Sequence, residues 1–278
     1  MNHINIIQQG FKIDWTKFSD GSETCKVDIP PFFTDNTVVD LQVKIVDATK
    51  DLVRIGLVKD ALNRMEIDNV NLTLLYFPQA RADRKFDAGM PLPVKVFADI
   101  INSYKFDRVT ILDPHSDVTS ALVENLRVIP QYIGLSHKMP QILRAFGHND
   151  YTLCAPDLGA TKKTEELVAA VGKKSYIQGI KVRDVTTGKI IRSEVVGVDN
   201  QKDVLIVDDI ADGGASFKYL AKNLKDAGVE RVALYVSHGI FSKGLEELRP
   251  EVDFIFVNNI VGEYINEQNI MDYNDASL

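Results

Sequence analysis

Along the chain, short runs of β-branched and other apolar residues alternate with longer stretches in which apolar positions recur every three or four residues. The runs predict strands at Ile4–Ile7, Leu41–Val46, Val70–Tyr76, Arg108–Leu112, Tyr151–Ala155, Asp203–Val207, Arg231–Ser237 and Asp253–Val257. The longer stretches predict helices at Asp51–Met65, Val94–Tyr104, Ser116–Arg127, Thr161–Val171 and Phe217–Ala227. Alternation of this kind implies an α/β fold, with parallel sheets covered by helices on both faces. Ligands in such sheets sit beyond the carboxyl ends of the strands, so the residues just after each run carry the chemistry.

An internal echo divides the chain. RVTILDPH, ending at His115, and RVALYVSH, ending at His238, each follow a predicted helix and each place His seven residues after Arg. Upstream, Ala98 matches Ala221, Ile101 Leu224, Phe106 Val229 and Asp107 Glu230 at the same offset. A length of 278 residues accommodates two domains of ordinary size, expected at 1–147 and 148–278.

Composition narrows the functions. With 32 Lys and Arg against 39 Asp and Glu, the formal net charge is −7, which argues against general binding to nucleic acid. The two cysteines, Cys25 and Cys154, form no metal-binding or disulfide pattern, and a reducing cytoplasm is expected. The opening MNHINIIQQG lacks the basic flank and apolar stretch of a signal peptide, and no apolar run reaches the length of a membrane span.

Five segments carry candidate chemistry. In DVLIVDDIADGGASF (203–217) an apolar strand delivers Asp208 and Asp209, followed by Asp212 and the small residues Gly213, Gly214, Ala215 and Ser216. Small residues let backbone amides approach a phosphate at a helix start, and acids upstream suit ribose hydroxyls. A glycine pair alone is equally a plain strand–turn–helix junction; the two acids before it favour a ligand. TILDPHSD (110–117) sets Asp113 and His115 after another strand. CAPDLGATKK (154–163) places Asp157 and Gly159 before a helix whose first turn holds Lys162 and Lys163, cations that oppose the helix dipole unless an anion is present. FPQARADRKFDAGMP (77–91) gathers Arg81, Arg84 and Lys85 in one polar loop. Residues 175–197 read as a hairpin arm turning near Thr186–Gly188, with Lys181 and Arg183 on one strand face. These two cations either close over a reacting phosphoryl group or decorate an edge hairpin, and spacing alone does not choose.

Taken together and in order, the segments resemble those of ribose-phosphate diphosphokinases, the phosphoribosyl diphosphate (PRPP) synthetases, from about Phe18 to Asn259. DVLIVDDIADGGASF is similar to the family's VVDDMIDTGGT loop, LDPHS to MDLHA, APDLGATKK to SPDAGGAKR, KVR to KxR, FPQARADRK to YARQDRK and FSDGSET to FSDGE. The resemblance implies two similar phosphoribosyltransferase-like domains, each a parallel sheet flanked by helices. It implies transfer of a diphosphoryl group from Mg-ATP to the anomeric hydroxyl of ribose 5-phosphate, giving PRPP and AMP, with Mg2+ as cofactor.

In that reading Lys181 and Arg183 are the catalytic cations. Phe18, Asp20, Glu23, Arg81, Asp83 and His115 meet ATP. Asp208 and Asp209 meet the ribose hydroxyls, residues Asp212, Gly213, Gly214, Ala215 and Ser216 meet the 5-phosphate, and His115 and Asp157 lie at the metal. The family resemblance also implies a homo-oligomer with its active site near a subunit interface. Three departures in this loop widen the choice of acceptor. Gly213 and Ser216 stand where the family loop has threonine, and Ala215 precedes the serine, so ADP-ribose is an alternative acceptor. A phosphoribosyltransferase and a non-catalytic subunit of the same fold are the remaining alternatives.

Overall fold

The computed structural model describes residues 4–6, 10–30, 38–85, 87–183 and 190–275. The chain divides into two compact units, Met1–Ile129 and Pro130–Leu278.

The first unit contains β1 (Ile4–Ile6), β2 (Lys12–Lys17), β3 (Glu23–Asp28), β4 (Val39–Val43), α1 (Ala48–Arg64), β5 (Val70–Leu74), α2 (Pro93–Ser103), β6 (Arg108–Leu112), α3 (Asp117–Leu122) and β7 (Leu126–Ile129). Its main sheet has the order β1-β4-β5-β6-β7, parallel except for β1. Leu41, Leu72 and Ile111 from the sheet pack with Ile55 and Leu62 of α1 and Ala98 and Ile101 of α2 in one core. β2 and β3 form a separate antiparallel hairpin, tied to α1 by the Arg54 guanidinium 5.0 Å above the Trp15 ring.

The second unit contains α4 (Gln131–Phe146), β8 (Thr152–Ala155), a 3-10 turn (Leu158–Ala160), α5 (Thr161–Ala170), β9 (Tyr176–Arg183), β10 (Ile190–Val196), β11 (Asp203–Ala211), α6 (Ala215–Asp226), β12 (Arg231–Gly239), β13 (Phe254–Ile260) and α7 (Glu267–Asp275). Its sheet runs β10-β9-β8-β11-β12-β13, parallel except where β10 returns against β9. The continuous apolar runs reflect burial on both faces. Val204, Ile206 and Leu234 pack with Leu220 and Leu224 of α6 on one side. Their neighbours Leu205, Val207 and Tyr235 pack with Leu135, Ile142 and Phe146 of α4 on the other. At the outer edge, the Asn274 carboxamide accepts from the Ile255 amide and donates to its carbonyl, both at 2.8 Å.

Several expectations are corrected here. The unit boundary falls after Ile129 and not near 147, because α4 packs on Tyr151, Leu153 and Phe254 and belongs with the second sheet. The Arg231 guanidinium fixes its end, donating to the carbonyls of Ala145 and Phe146. The expected helix Ser116–Arg127 stops at Leu122: Asn125 takes a left-handed φ of 52°, and Leu126–Ile129 pairs with β6 as a strand. β11 continues past Val207 to Ala211, because β12 pairs alongside as far as Gly239, so Asp208 and Asp209 lie within the strand. The hairpin arm at 175–197 is present as β9 and β10, and its turn at Thr186–Gly188 lies outside the described residues. Among the described residues, no helix is long and apolar enough to cross a membrane.

Candidate functional site

In the second sheet the strand order reverses at β8: β9 lies on one side of it and β11 on the other. A reversal of this kind opens a crevice at the carboxyl ends of the central strands. The strongest sequence candidates stand there.

Asp157 follows β8 and uses both carboxylate oxygens. Oδ1 accepts the Gly159 amide at 3.0 Å, capping the 3-10 turn, and Oδ2 meets the Lys181 ammonium at 2.6 Å. Lys181 reaches it because β9 runs close to the end of β8. A Cβ on Gly179 would sit 2.6 Å from the Pro156 carbonyl oxygen and 2.8 Å from that of Ala155, so only glycine permits this approach. Gly179 is a positioning residue that the sequence reading missed. Arg183 shares the strand backbone of β9, and its side chain lies outside the described residues.

Asp208 and Asp209 come from the carboxyl half of β11. Burial first, then the charge of Asp209 and more weakly that of Asp157, holds the Asp208 carboxyl well above the usual carboxylate range. Its backbone carbonyl accepts the Gln131 side-chain amide, so the first residue of α4 steadies the strand at this point. Asp209 is 5% exposed and pairs with Lys163 at 3.4 Å. The unfavourable placing of Lys163 in the first turn of α5 is thus offset within the protein itself.

After β11, Asp212 accepts from the Ser242 hydroxyl. Gly214 takes a left-handed φ of 77° as the N-cap of α6, contributing no side-chain cap of its own, and the first turn of the helix carries no acid. Ala215 and Ser216 begin that helix.

The first unit holds the other candidates. Phe18 and Asp20 form the tip of the β2–β3 hairpin. The Phe18 amide donates to Ser22, Asp20 accepts the Ser22 amide and hydroxyl, and the Phe18 ring is 51% exposed. Glu23 instead faces α1, where Lys50 and Arg54 each meet it at 2.7 Å and their hydrogen bonds pull its pKa down to about 2. Arg81 is exposed and Asp83 half-buried in a loop turned by Gln79 at φ 59°. His115 lies beyond the end of β6 and is half-buried, whereas its echo His238 lies inside β12 at 2% exposure. The repeated spacing therefore places two histidines in different surroundings, because β12 extends further than β6.

No group of three or more His, Cys, Asp or Glu side chains arranged for a metal exists among the described residues. Magnesium bound with phosphates keeps several waters and needs one or two carboxylates, which suits Asp157 and Asp208. Burial, then the charge of Asp209, raises the Asp208 carboxyl, and a cation bound there would favour its charged form. His115 offers a nitrogen to an ion that prefers oxygen.

The phosphoribosyl transferase domain family model matches residues 124–274. The chain is similar to the ribose-phosphate pyrophosphokinase of Mycoplasmopsis pulmonis, 28% identical over 225 residues, covering 78% of this chain and 67% of that protein. It is also similar to the ribose-phosphate pyrophosphokinase of Chromobacterium violaceum, 25% identical over 257 residues, with 90% and 75% covered. The chain thus spans about two thirds to three quarters of the length of these relatives. In fold it resembles the crystal structure of phosphoribosylpyrophosphate synthetase from Mycobacterium smegmatis, with a TM-score of 0.75 and 18% identity over 93% of this chain and 83% of that one. Matched over more than half its length, the chain belongs to the phosphoribosyl transferase domain family and, within it, to the ribose-phosphate diphosphokinases.

Proposed function

We propose that the protein transfers the β,γ-diphosphoryl group of Mg-ATP to the 1-hydroxyl of ribose 5-phosphate, forming PRPP and AMP. The observation that carries this reading is the carboxyl end of the second sheet. There one unit presents Asp208 and Asp209, a helix start opened by glycine, and a lysine held against Asp157.

The hydroxyl oxygen bonds to the β-phosphorus as the bond from that phosphorus to the α-phosphate oxygen breaks. The hydroxyl proton passes to solvent water, and AMP departs with the bridging oxygen. Asp208 and Asp209 accept hydrogen bonds from the 2- and 3-hydroxyls and orient the ring. The amides of residues 213–216 take the 5-phosphate, aided by the positive end of α6. Lys181, steered by Asp157, and Arg183 oppose charge growing on the transferred group. Magnesium would be held by Asp157 and Asp208, and supplies charge neutralisation at the phosphate oxygens. In the first unit Arg81, Asp83 and His115 serve the nucleotide, and Phe18 offers an exposed ring face for the purine. Glu23, engaged by Lys50 and Arg54, fixes the hairpin that presents Phe18.

ADP-ribose is the second acceptor to consider. Gly213 stands where the family loop has threonine, which removes one side chain beside the 5-position. Incubation with Mg-ATP and each sugar, with AMP measured by chromatography, tests both. Faster AMP release with ADP-ribose replaces the first acceptor by the second, and release with neither overturns the transfer itself.

A further inference from the structure

The loop from Asp212 to Ser216 offers few side-chain donors, since Gly213, Gly214 and Ala215 carry none. A side chain from elsewhere in the fold lies along it. Lys243, in the connection between β12 and β13, passes with its Cδ and Cε each 3.6 Å, and its Cγ 4.0 Å, from the point a Gly213 Cβ would occupy. The ammonium is one bond beyond Cε.

The backbone around Lys243 is firmly held. The amides of Ile240 and Phe241 both donate to the Ala211 carbonyl, at 2.7 and 3.2 Å. Phe241 is fully buried with a left-handed φ of 47°, and the Ser242 hydroxyl bonds Asp212. The strand end, the glycine loop and Lys243 therefore form one assembly. The lysine forms no ion pair among the described residues, whereas Lys218 of α6 meets Glu247 at 3.3 Å. A cation beside the start of α6 faces the positive end of that helix, an arrangement that an anion between them makes favourable.

We propose that Lys243 is a specificity-determining cation for the acceptor, pairing with the phosphate carried on its 5-carbon. This rests on the reading that the 212–216 loop binds a 5-phosphorylated ribose. It adds a residue from outside that loop, one that selects acceptors by the charge on their 5-substituent.

Calorimetric titration of the wild type, Lys243→Ala and Lys243→Arg with ribose 5-phosphate and with ADP-ribose tests it, alongside Michaelis constants for acceptor and ATP. Losing one charge-assisted contact predicts about tenfold weaker acceptor binding in Lys243→Ala. The acceptor Michaelis constant should rise in parallel, while that for ATP stays within about twofold and Lys243→Arg recovers most of the loss. Acceptor affinity in Lys243→Ala within about twofold of wild type overturns the proposal, as does an arginine variant as weak as the alanine one. If the wild type binds a sugar phosphate but releases no AMP, the transfer reading fails while the titration still decides the role of Lys243. Binding of neither sugar phosphate by the wild type overturns both.

Discussion

Asp157 divides its two carboxylate oxygens between a backbone amide and the Lys181 ammonium, so the lysine is aimed before any ligand arrives. Replacing Lys181 by Ala should lower kcat by a factor of about a hundred or more, the scale set by removing one donor to transition-state charge. The melting temperature should hold, because a half-buried ion pair contributes little to stability. AMP release and a thermal melt on the same sample check both halves, and an unchanged kcat would remove Lys181 from the chemistry. Glu23 makes a different statement. Its folded pKa, about 2, lies below the ordinary carboxylate value of 4.5, so its ion pairs with Lys50 and Arg54 stabilise fully above that value. The contribution fades as pH falls toward 2. Glu23→Gln should therefore lower the melting temperature at pH 7 and shrink the difference from wild type as the pH drops to about 3. A difference that stays constant over that range would show the pairs to be idle.

At the scale of elements, the approach of β9 to β8 depends on Gly179. An alanine methyl there would overlap the Pro156 and Ala155 carbonyls, so Gly179→Ala should cost about 1–3 kcal/mol in urea unfolding. It should also reduce AMP release by displacing Lys181. Wild-type stability in this variant would mean that the strands part without penalty. The acids of β11 were legible in the sequence because an apolar run buried on both faces has few reasons to end in two carboxylates. Gly179 was not legible: its reason is Pro156, which only sheet pairing brings near. The same holds for Gln131 and Lys243, which reach the strand end from α4 and from the β12–β13 connection. The hairpin of β2 and β3 escaped notice because Lys12, Asp14, Thr24 and Lys26 read as polar loop when half the surface faces water. α4 was hidden by Gly134 and Pro140, both poor helix formers. Packing overrides propensity there: a Cβ on Gly134 would lie 2.6 Å from the Tyr235 hydroxyl, so the glycine is what lets the helix lie down on the sheet.

At the scale of the whole molecule, the two units carry separate cores. Leu72→Ala in the first and Leu205→Ala in the second, both at fully buried positions, should each cost about 2–5 kcal/mol. Hydrogen exchange followed by mass spectrometry should show the acceleration confined to the unit that carries the change. Equal acceleration in both units would mean that they unfold as one. The second sheet also has an outer margin, β13, where the Asn274 side chain supplies the donor and acceptor that another strand would offer Ile255. An amide side chain standing in for a neighbour leaves Ile255 no backbone group to offer a further chain. Concentrated solutions of this protein should for that reason stay clear on standing, and Asn274→Leu should turn them turbid through intermolecular strand pairing.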